Sequence, residues 1–241
     1  MIQSERNEYD IGLSRFLKSV YISTGYSLLT SVVTAQILSC VSPQFLSVIL
    51  LVGAIGCIIS CFVFNKIETE RKTEELNNQT IYYCIDPTSR KCAFYSLSFF
   101  IGIILTPLVV IMGSRVFYSG IFISLIVFGS ATIFSYWKPH LACSLTPILI
   151  WGLFILSLVQ LLGLMTIFLI GNNIFSNYIH SVDVIYGTLL FTGFIVYDTY
   201  KAVKVYTEEK NADHLSCATC LYLDFINVLI RIMEIIAKKT K

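Results

Sequence analysis

Two aspartates, Asp198 and Asp224, lie within long apolar stretches near the C-terminal end of the 241-residue chain. An ionisable side chain at membrane depth costs at least about 2.5–3.5 kcal/mol on insertion scales, so its presence there indicates a function. Two carboxyl groups in contact in a low-dielectric site cannot both ionise cheaply, and they share a proton. When that proton leaves, the carboxylates repel each other and attract Ca²⁺, which binds carboxylate oxygen. If the two side chains meet, such a pair would couple its protonation to the binding of a cation.

The stretch that contains Asp224 carries further polar residues on one helical face. Asn227, Arg231 and Glu234 follow Asp224 at spacings of three, four and three residues, which places all of them along one side of a helix. The remaining faces are apolar, so such a helix requires a protein interior or an aqueous cavity along its polar face. The alternative is an amphipathic helix that lies on the membrane surface, with Arg231 and Glu234 as a local ion pair.

Membrane-spanning helices are needed to position these residues, and the composition of the chain indicates that it forms such helices. Hydrophobic residues make up 56% of the chain and charged residues 13%, against about 45–50% and about 25% in a soluble domain. A span requires about 20 mostly apolar residues. Seven segments qualify, the last two of them interrupted by charges: Val20–Cys40, Phe45–Phe64, Ala93–Met112, Phe117–Trp137, Ile148–Ile170, Val182–Ala202 and Leu215–Ala237. We therefore predict an all-α integral membrane protein that forms a single seven-helix domain over residues 1–241.

Basic residues set the orientation, because cytosolic loops carry an excess of Lys and Arg. With the N-terminus in the cytosol, only Arg115 falls in the opposite loops. The cytosolic segments then hold Arg6, Arg15, Lys18, Lys66, Arg71, Lys72, Arg90, Lys91, Lys138, Lys201, Lys204 and Lys210. The N-terminal tail 1–16 and the loop 65–92 are therefore predicted to be cytosolic. The sequon Asn78-Gln79-Thr80 in that loop is expected to carry no glycan.

The C-terminal lysines, Lys238 and Lys239, leave two alternatives open. Seven complete spans place them on the far side of the membrane, where they serve as an anchor at the interface. A dilysine retrieval signal of the endoplasmic reticulum acts only from the cytosol, and that reading requires the last segment to enter the membrane and return.

The two aspartates fall near the same side of the membrane. Asp198 lies close to the cytosolic end of the sixth span, and Asp224 lies about nine residues into the seventh. At 1.5 Å per residue, Asp198 is roughly 7 Å and Asp224 roughly 13 Å from the cytosolic edge. Span boundaries are uncertain by about one helical turn, so the spacing alone does not decide whether the two carboxyl groups touch. Asp183, at the opposite edge of the sixth span, is not expected to affect the pH response.

Two runs of residues contain the aspartates: Gly193-Phe194-Ile195-Val196-Tyr197-Asp198-Thr199 and Cys220-Leu221-Tyr222-Leu223-Asp224-Phe225-Ile226-Asn227. Together they resemble the paired signature of the Bax inhibitor-1 family (transmembrane Bax inhibitor motif proteins). Gly102–Pro107 in the third span and Phe128-Gly129-Ser130 in the fourth resemble further marks of that family. The resemblance extends from about Leu17 to the C-terminus, and the run Leu221–Asn227 is its most specific part.

The resemblance implies two three-helix layers around a central C-terminal helix. It also implies a pH-sensitive calcium leak in an endoplasmic-reticulum or Golgi membrane, together with suppression of cell death. Asp198 and Asp224 match the family's pore aspartates and would bind calcium transiently as a permeant ion, with no cofactor. Relatives carry an arginine at the cytosolic end of the second span as a latch to the first aspartate, whereas this chain has Asn65-Lys66, which makes Lys66 the candidate latch.

Membrane lipid, calcium ions and cell-death regulators are the partners that this interpretation implies, and a net charge of +2 gives no indication of nucleic acid. An intramembrane aspartyl protease would use the same pair of aspartates. That class requires Gly-x-Gly-Asp in its seventh helix, and Asp224 is preceded by Tyr222 and Leu223. We therefore expect no enzyme. A non-conducting membrane scaffold that regulates other membrane proteins stays open as an alternative.

Overall fold

The computed structural model describes residues 2–41, 43–76, 79–171, 174–210 and 212–240. Within these ranges the chain forms eight α-helices and one two-stranded sheet. In chain order the elements are α1 (Ile2–Leu38), α2 (Leu46–Lys66), β1 (Glu70–Leu76), β2 (Gln79–Ile85), α3 (Thr88–Met112), α4 (Ser114–Trp137), α5 (Pro139–Ser144), α6 (Thr146–Ile170), α7 (Ile174–Thr207) and α8 (His214–Thr240). Asn78, which is expected to carry no glycan, lies outside the described residues.

Five helices are long and apolar enough to cross a membrane. They are α2, α3, α4, α6 and the part of α7 from Asn177 to Thr207. The first and last predicted spans lie in α1 and α8, so a helix forms in every predicted region. The count of seven spans, the layered arrangement and the single domain with its cytosolic tail 1–16 and loop 65–92 stay predictions.

A β-hairpin occupies the loop between α2 and α3, and the predicted all-α fold class does not include it. Strands β1 and β2 are antiparallel, with Glu70 opposite Ile85 and Leu76 opposite Gln79. The second strand reads Gln-Thr-Ile-Tyr-Tyr-Cys-Ile, and β-branched and aromatic residues of this kind favour a pleated strand. The hydroxyl of Tyr206 hydrogen-bonds the backbone of Tyr82. The purely helical prediction is therefore corrected for this loop.

One compact unit comprises residues 1–114 and 201–222. In it α3 packs against α1 and α2. A Cβ on Gly102 would lie 2.7 Å from the backbone oxygen of Ser31, so α3 approaches α1 closely because this residue has no side chain. The start of α8 packs here as well. The hydroxyls of Ser31 and Tyr222 hydrogen-bond, and Ser31 also donates to the backbone oxygen of Ser98 at 2.8 Å.

The other compact unit comprises residues 115–200 and 223–241. The Ser135 hydroxyl of α4 donates to the backbone oxygen of Val196 in α7 at 2.8 Å. Leu149 and Leu156 of α6 form an apolar core with Leu190 of α7. The outward face of α6 is apolar, and the side chain of Phe168 is 86% exposed. Such a surface is stable against hydrocarbon and costly against water, which fits a helix that faces lipid.

Burial of α8 decides against a helix that lies on the membrane surface. Val228, Leu229 and Met233 are fully buried, and the polar residues Asp224 and Arg231 are each only 7% exposed. A surface helix keeps its charged face in water. Because Asp224 and Arg231 are buried together with Val228, Leu229 and Met233, this part of α8 is covered by protein on both its polar and its apolar side.

The orientation gives a test with two cysteines that are both exposed, Cys92 at the start of α3 and Cys40 beyond the end of α1. In sealed microsomes, a membrane-impermeant maleimide is expected to label a variant whose one remaining cysteine is Cys92 and to leave the matching Cys40 variant unlabelled. Detergent should make both reactive. Labelling of Cys40 with protection of Cys92 would reverse the orientation derived from the basic loops.

Candidate functional site: a buried pair of aspartates

The carboxyl groups of Asp198 in α7 and Asp224 in α8 lie within hydrogen-bonding distance of each other, and both residues belong to the unit of residues 115–200 and 223–241. Asp224 is buried, and its Oδ2 accepts no hydrogen bond from any residue that the structure describes. Asp198 is half-buried. The contact that the sequence left undecided is therefore made.

Buried apolar residues and the buried Thr199 flank the two aspartates in the chain. Ile195 and Val196 precede Asp198 and are buried, and Phe225, which follows Asp224, is 1% exposed. The Phe225 ring packs on Phe128 of α4, with ring centroids 5.8 Å apart. A carboxylate in such surroundings loses its hydration, and a second one beside it adds repulsion, so the arrangement favours one shared proton.

The other polar residues of the α8 face have separate partners. The Asn227 amide donates to the backbone oxygen of Leu223 in its own helix at 2.9 Å. The Glu234 carboxylate lies 3.7 Å from the Nε2 of His180 in α7. Asn227 and Glu234 lie on the same side of the helix as Asp224, and the contact with Asp198 is made by Asp224.

Arg231 pairs with Asp183, the residue that is not expected to affect the pH response. Its Nη1 donates to the backbone oxygen of Asp183 at 2.8 Å and to Oδ2 at 3.1 Å. The signal in the sequence was an acid in one apolar stretch and an arginine in the next. Their separation of 48 residues gave no means of pairing them before the two helices were packed.

Comparison with protein families bears on what this arrangement does. A family model described as "Inhibitor of apoptosis-promoting Bax1" matches residues 13–241. The chain belongs to the Bax inhibitor-1 family. Bax inhibitor 1 of Schizosaccharomyces pombe is 28% identical to it over 138 residues, which are 56% of this chain and 47% of the yeast protein. The chain thus spans about half the length of the curated relative that it matches.

Lys66, the candidate latch in this Bax inhibitor-1 family member, is the last residue of α2 and is exposed. Its ammonium lies 4.7 Å from the centre of the Phe62 ring, which is one turn earlier on the same helix. Its role as a latch stays a prediction.

Arg90, which the sequence places only among the basic residues of the cytosolic side, holds a network of charges at the start of α3. Its two Nη atoms donate to the two carboxylate oxygens of Asp213 at 2.9 and 2.8 Å, and Nη1 also donates to Asp86. Nη2 donates to the Ser216 hydroxyl at 2.9 Å, and the guanidinium lies 4.5 Å from the centre of the Phe64 ring. Because Arg90 is 5% exposed, this paired geometry is what makes its burial tolerable.

The charges of this network act on the loop that precedes α8. Burial by itself raises the pKa of Asp213, but hydrogen bonds from Arg90 and Ser216 outweigh it, and the pKa lies below its ordinary value. Burial lowers the pKa of His214, although Asp86 and Asp213 act in the opposite direction. The network therefore ties the loop to α3 as an ionised Arg90–Asp213 pair at neutral pH.

No group of three or more His, Cys, Asp and Glu side chains that would suit a metal ion occurs in the described parts of the chain. Asp198 and Asp224 offer two carboxyl groups, whereas Ca²⁺ takes six to eight oxygen ligands in tight sites. Transient binding of calcium by the pair stays a prediction.

Proposed function

We propose that this protein passes Ca²⁺ across an endoplasmic-reticulum or Golgi membrane under the control of pH, and that it suppresses cell death. The observation that carries the first part is the contact between Asp198 and the buried Asp224. Several apolar helices support a multi-pass membrane protein. The description of the matched family, which names inhibition of an apoptosis-promoting protein, supports the second part.

The chemistry of the pair links pH to permeation. With one shared proton, a hydrogen bond joins Asp198 of α7 to Asp224 of α8 and holds the two helices together. Loss of the proton puts two negative charges side by side in an apolar site, and their repulsion separates the helices. The same two carboxylates then attract a divalent cation with the oxygen ligands that it prefers. Higher pH is therefore expected to increase the flux.

The test is a flux measurement on purified protein in liposomes that contain a calcium indicator. Addition of external Ca²⁺ is expected to raise the internal signal faster than in protein-free liposomes, and the rate should increase as pH rises. Liposomes whose protein is folded and monodisperse but whose signal equals that of empty liposomes would overturn the leak. The protein would then be a non-conducting scaffold.

Suppression of cell death is tested separately from conduction. Cells that express Bax are expected to survive longer when they also produce this protein, because the matched family is described by inhibition of a Bax protein. The Bax inhibitor-1 family is not a known family of enzymes, so no catalytic step is invoked. Survival equal to that of cells with an empty vector would contradict this part and leave the flux result untouched.

A further inference from the structure

A permanent positive charge lies on the same face of α8 as Asp224, two helical turns further along. Arg231 has a side chain that is 8% exposed, and its guanidinium pairs with the carboxylate of Asp183 at 3.1 Å. A guanidinium keeps its proton in proteins, so this charge is present at every physiological pH. In a protein interior that holds little water, this charge is poorly screened and acts at long range.

One face of α7 is shaped to hold this guanidinium. Asp183 supplies the carboxylate and a backbone oxygen, and Gly187, four residues later, supplies space. A Cβ on Gly187 would overlap the Nε, Cζ and Nη1 atoms of Arg231. Phe191, a further four residues on, places its ring centre 5.5 Å from Cζ. Residues four apart share one helical face, so carboxylate, gap and ring form a continuous seat for the cation.

The seat and the aspartate pair lie on the same two helices, α7 and α8. Gly187 and Asp198 are eleven residues apart on α7, which corresponds to about 16 Å along the helix axis. Arg231 follows Asp224 on the polar face of α8. Under the proposed function, a cation that moves along this face to or from the aspartates would pass the guanidinium.

We propose that Arg231 is an electrostatic barrier that limits the passage of cations along the polar face of α8, and that Asp183 sets the height of this barrier by neutralising the guanidinium. The inference rests on the proposed calcium leak and names the residue that restricts it. A Ca²⁺ ion carries two charges, so an unpaired guanidinium repels it twice as strongly as it repels a monovalent ion. With Asp183 in contact, most of that repulsion is cancelled, and a slow leak persists.

Two substitutions, each of which replaces one charged side chain by an uncharged one, are expected to change the flux in opposite directions. Arg231→Gln leaves the Asp183 carboxylate without its cation, and the liposome Ca²⁺ flux is expected to rise roughly tenfold. Asp183→Asn leaves the guanidinium without its anion, and the flux is expected to fall by roughly the same factor. Neither change replaces Asp198 or Asp224, so the flux should still increase with pH in both variants. Loss of structure would move both variants in the same direction, which separates it from the barrier.

A third variant moves the charge without removing it. Gly187→Ala places a methyl group where the guanidinium lies, separates it from Asp183 and is expected to lower the flux as Asp183→Asn does. The matched control is Gly152→Ala, since a Cβ on this buried α6 glycine would meet Leu190 and the Tyr186 hydroxyl instead of an ionic group. Gly152→Ala should leave the flux unchanged.

The outcomes distinguish this inference from the proposed leak. Suppose that the unaltered protein conducts Ca²⁺, and that the fluxes of Arg231→Gln and Asp183→Asn both equal its flux or both differ from it in the same direction. That result would overturn the barrier and leave the leak standing. An absence of flux in the unaltered protein and in Arg231→Gln would overturn the leak and the barrier with it. Opposite displacement of the two variants supports the barrier.

Discussion

Replacement of either Asp198 or Asp224 by asparagine is expected to remove the pH dependence of Ca²⁺ flux between about pH 6 and 8, the range into which burial and like charge shift a carboxyl pair. An amide still hydrogen-bonds the remaining aspartate, but it cannot release a proton at these pH values. We expect the ratio of liposome flux at the two ends of this range to fall from roughly tenfold to less than about twofold. The stopped-flow signal of a calcium indicator, recorded across the pH range, measures this ratio.

The double variant distinguishes a pair that acts as one unit from two independent residues. Because the two carboxyl groups share a proton, replacing both should have no greater effect than the worse single replacement. Glu208→Gln is the matched control, since this exposed carboxylate follows α7 directly and pairs with Lys204 at the surface. It should keep the ordinary pH profile. A profile like that of the unaltered protein in both single variants would show that the pair is not the sensor.

Arg90→Ala is expected to cause the largest loss of stability among single substitutions in the unit of residues 1–114 and 201–222. The change leaves Asp86, whose side chain is fully buried, and the largely buried Asp213 without their common cation. Breaking a buried ion pair by removal of one partner costs about 3–5 kcal/mol. Thermal unfolding in detergent should show a midpoint lower by at least about 5 °C. Lys91→Ala, which removes the neighbouring exposed charge, should leave the midpoint unchanged.

The loss of stability in Arg90→Ala is expected to depend on pH, because Asp213 is ionisable. The pKa of Asp213 lies below its ordinary value, so the pair's stabilisation is complete above the unfolded pKa of about 3.9 and is lost as pH falls through the folded value. In Arg90→Ala, burial without the cation raises the pKa of Asp213, and acid then favours the folded state. The difference in unfolding midpoint should therefore narrow as pH falls from about 7 to 5. A constant difference over this range would contradict the ionic explanation.

Much of the architecture follows from local properties of the chain. Apolar runs of about 20 residues predict helices wherever they occur, and helices form in all seven regions. The spacing of Asp224, Asn227, Arg231 and Glu234 placed them on one face because 3.6 residues make one turn. The motif Leu-Tyr-Leu-Asp-Phe-Ile-Asn indicated the family that the comparison then confirmed. The hairpin at Glu70–Ile85 was missed because its first strand is almost entirely polar and each strand has only seven residues, so that the alternation gives a weak signal.

The sequence by itself thus determined the helices, their polar face and the family, since each depends on residues that are close together in the chain. Packing alone decided which ionised groups meet. The pairing of Arg231 with Asp183 depends on where α8 lies against α7 and on the gap at Gly187. Arg90 and Asp213 are 123 residues apart, and only the approach of α3 to the loop before α8 joins them. Charges in a low-dielectric interior must find partners, but the identity of each partner is a property of helix contacts that no local spacing encodes.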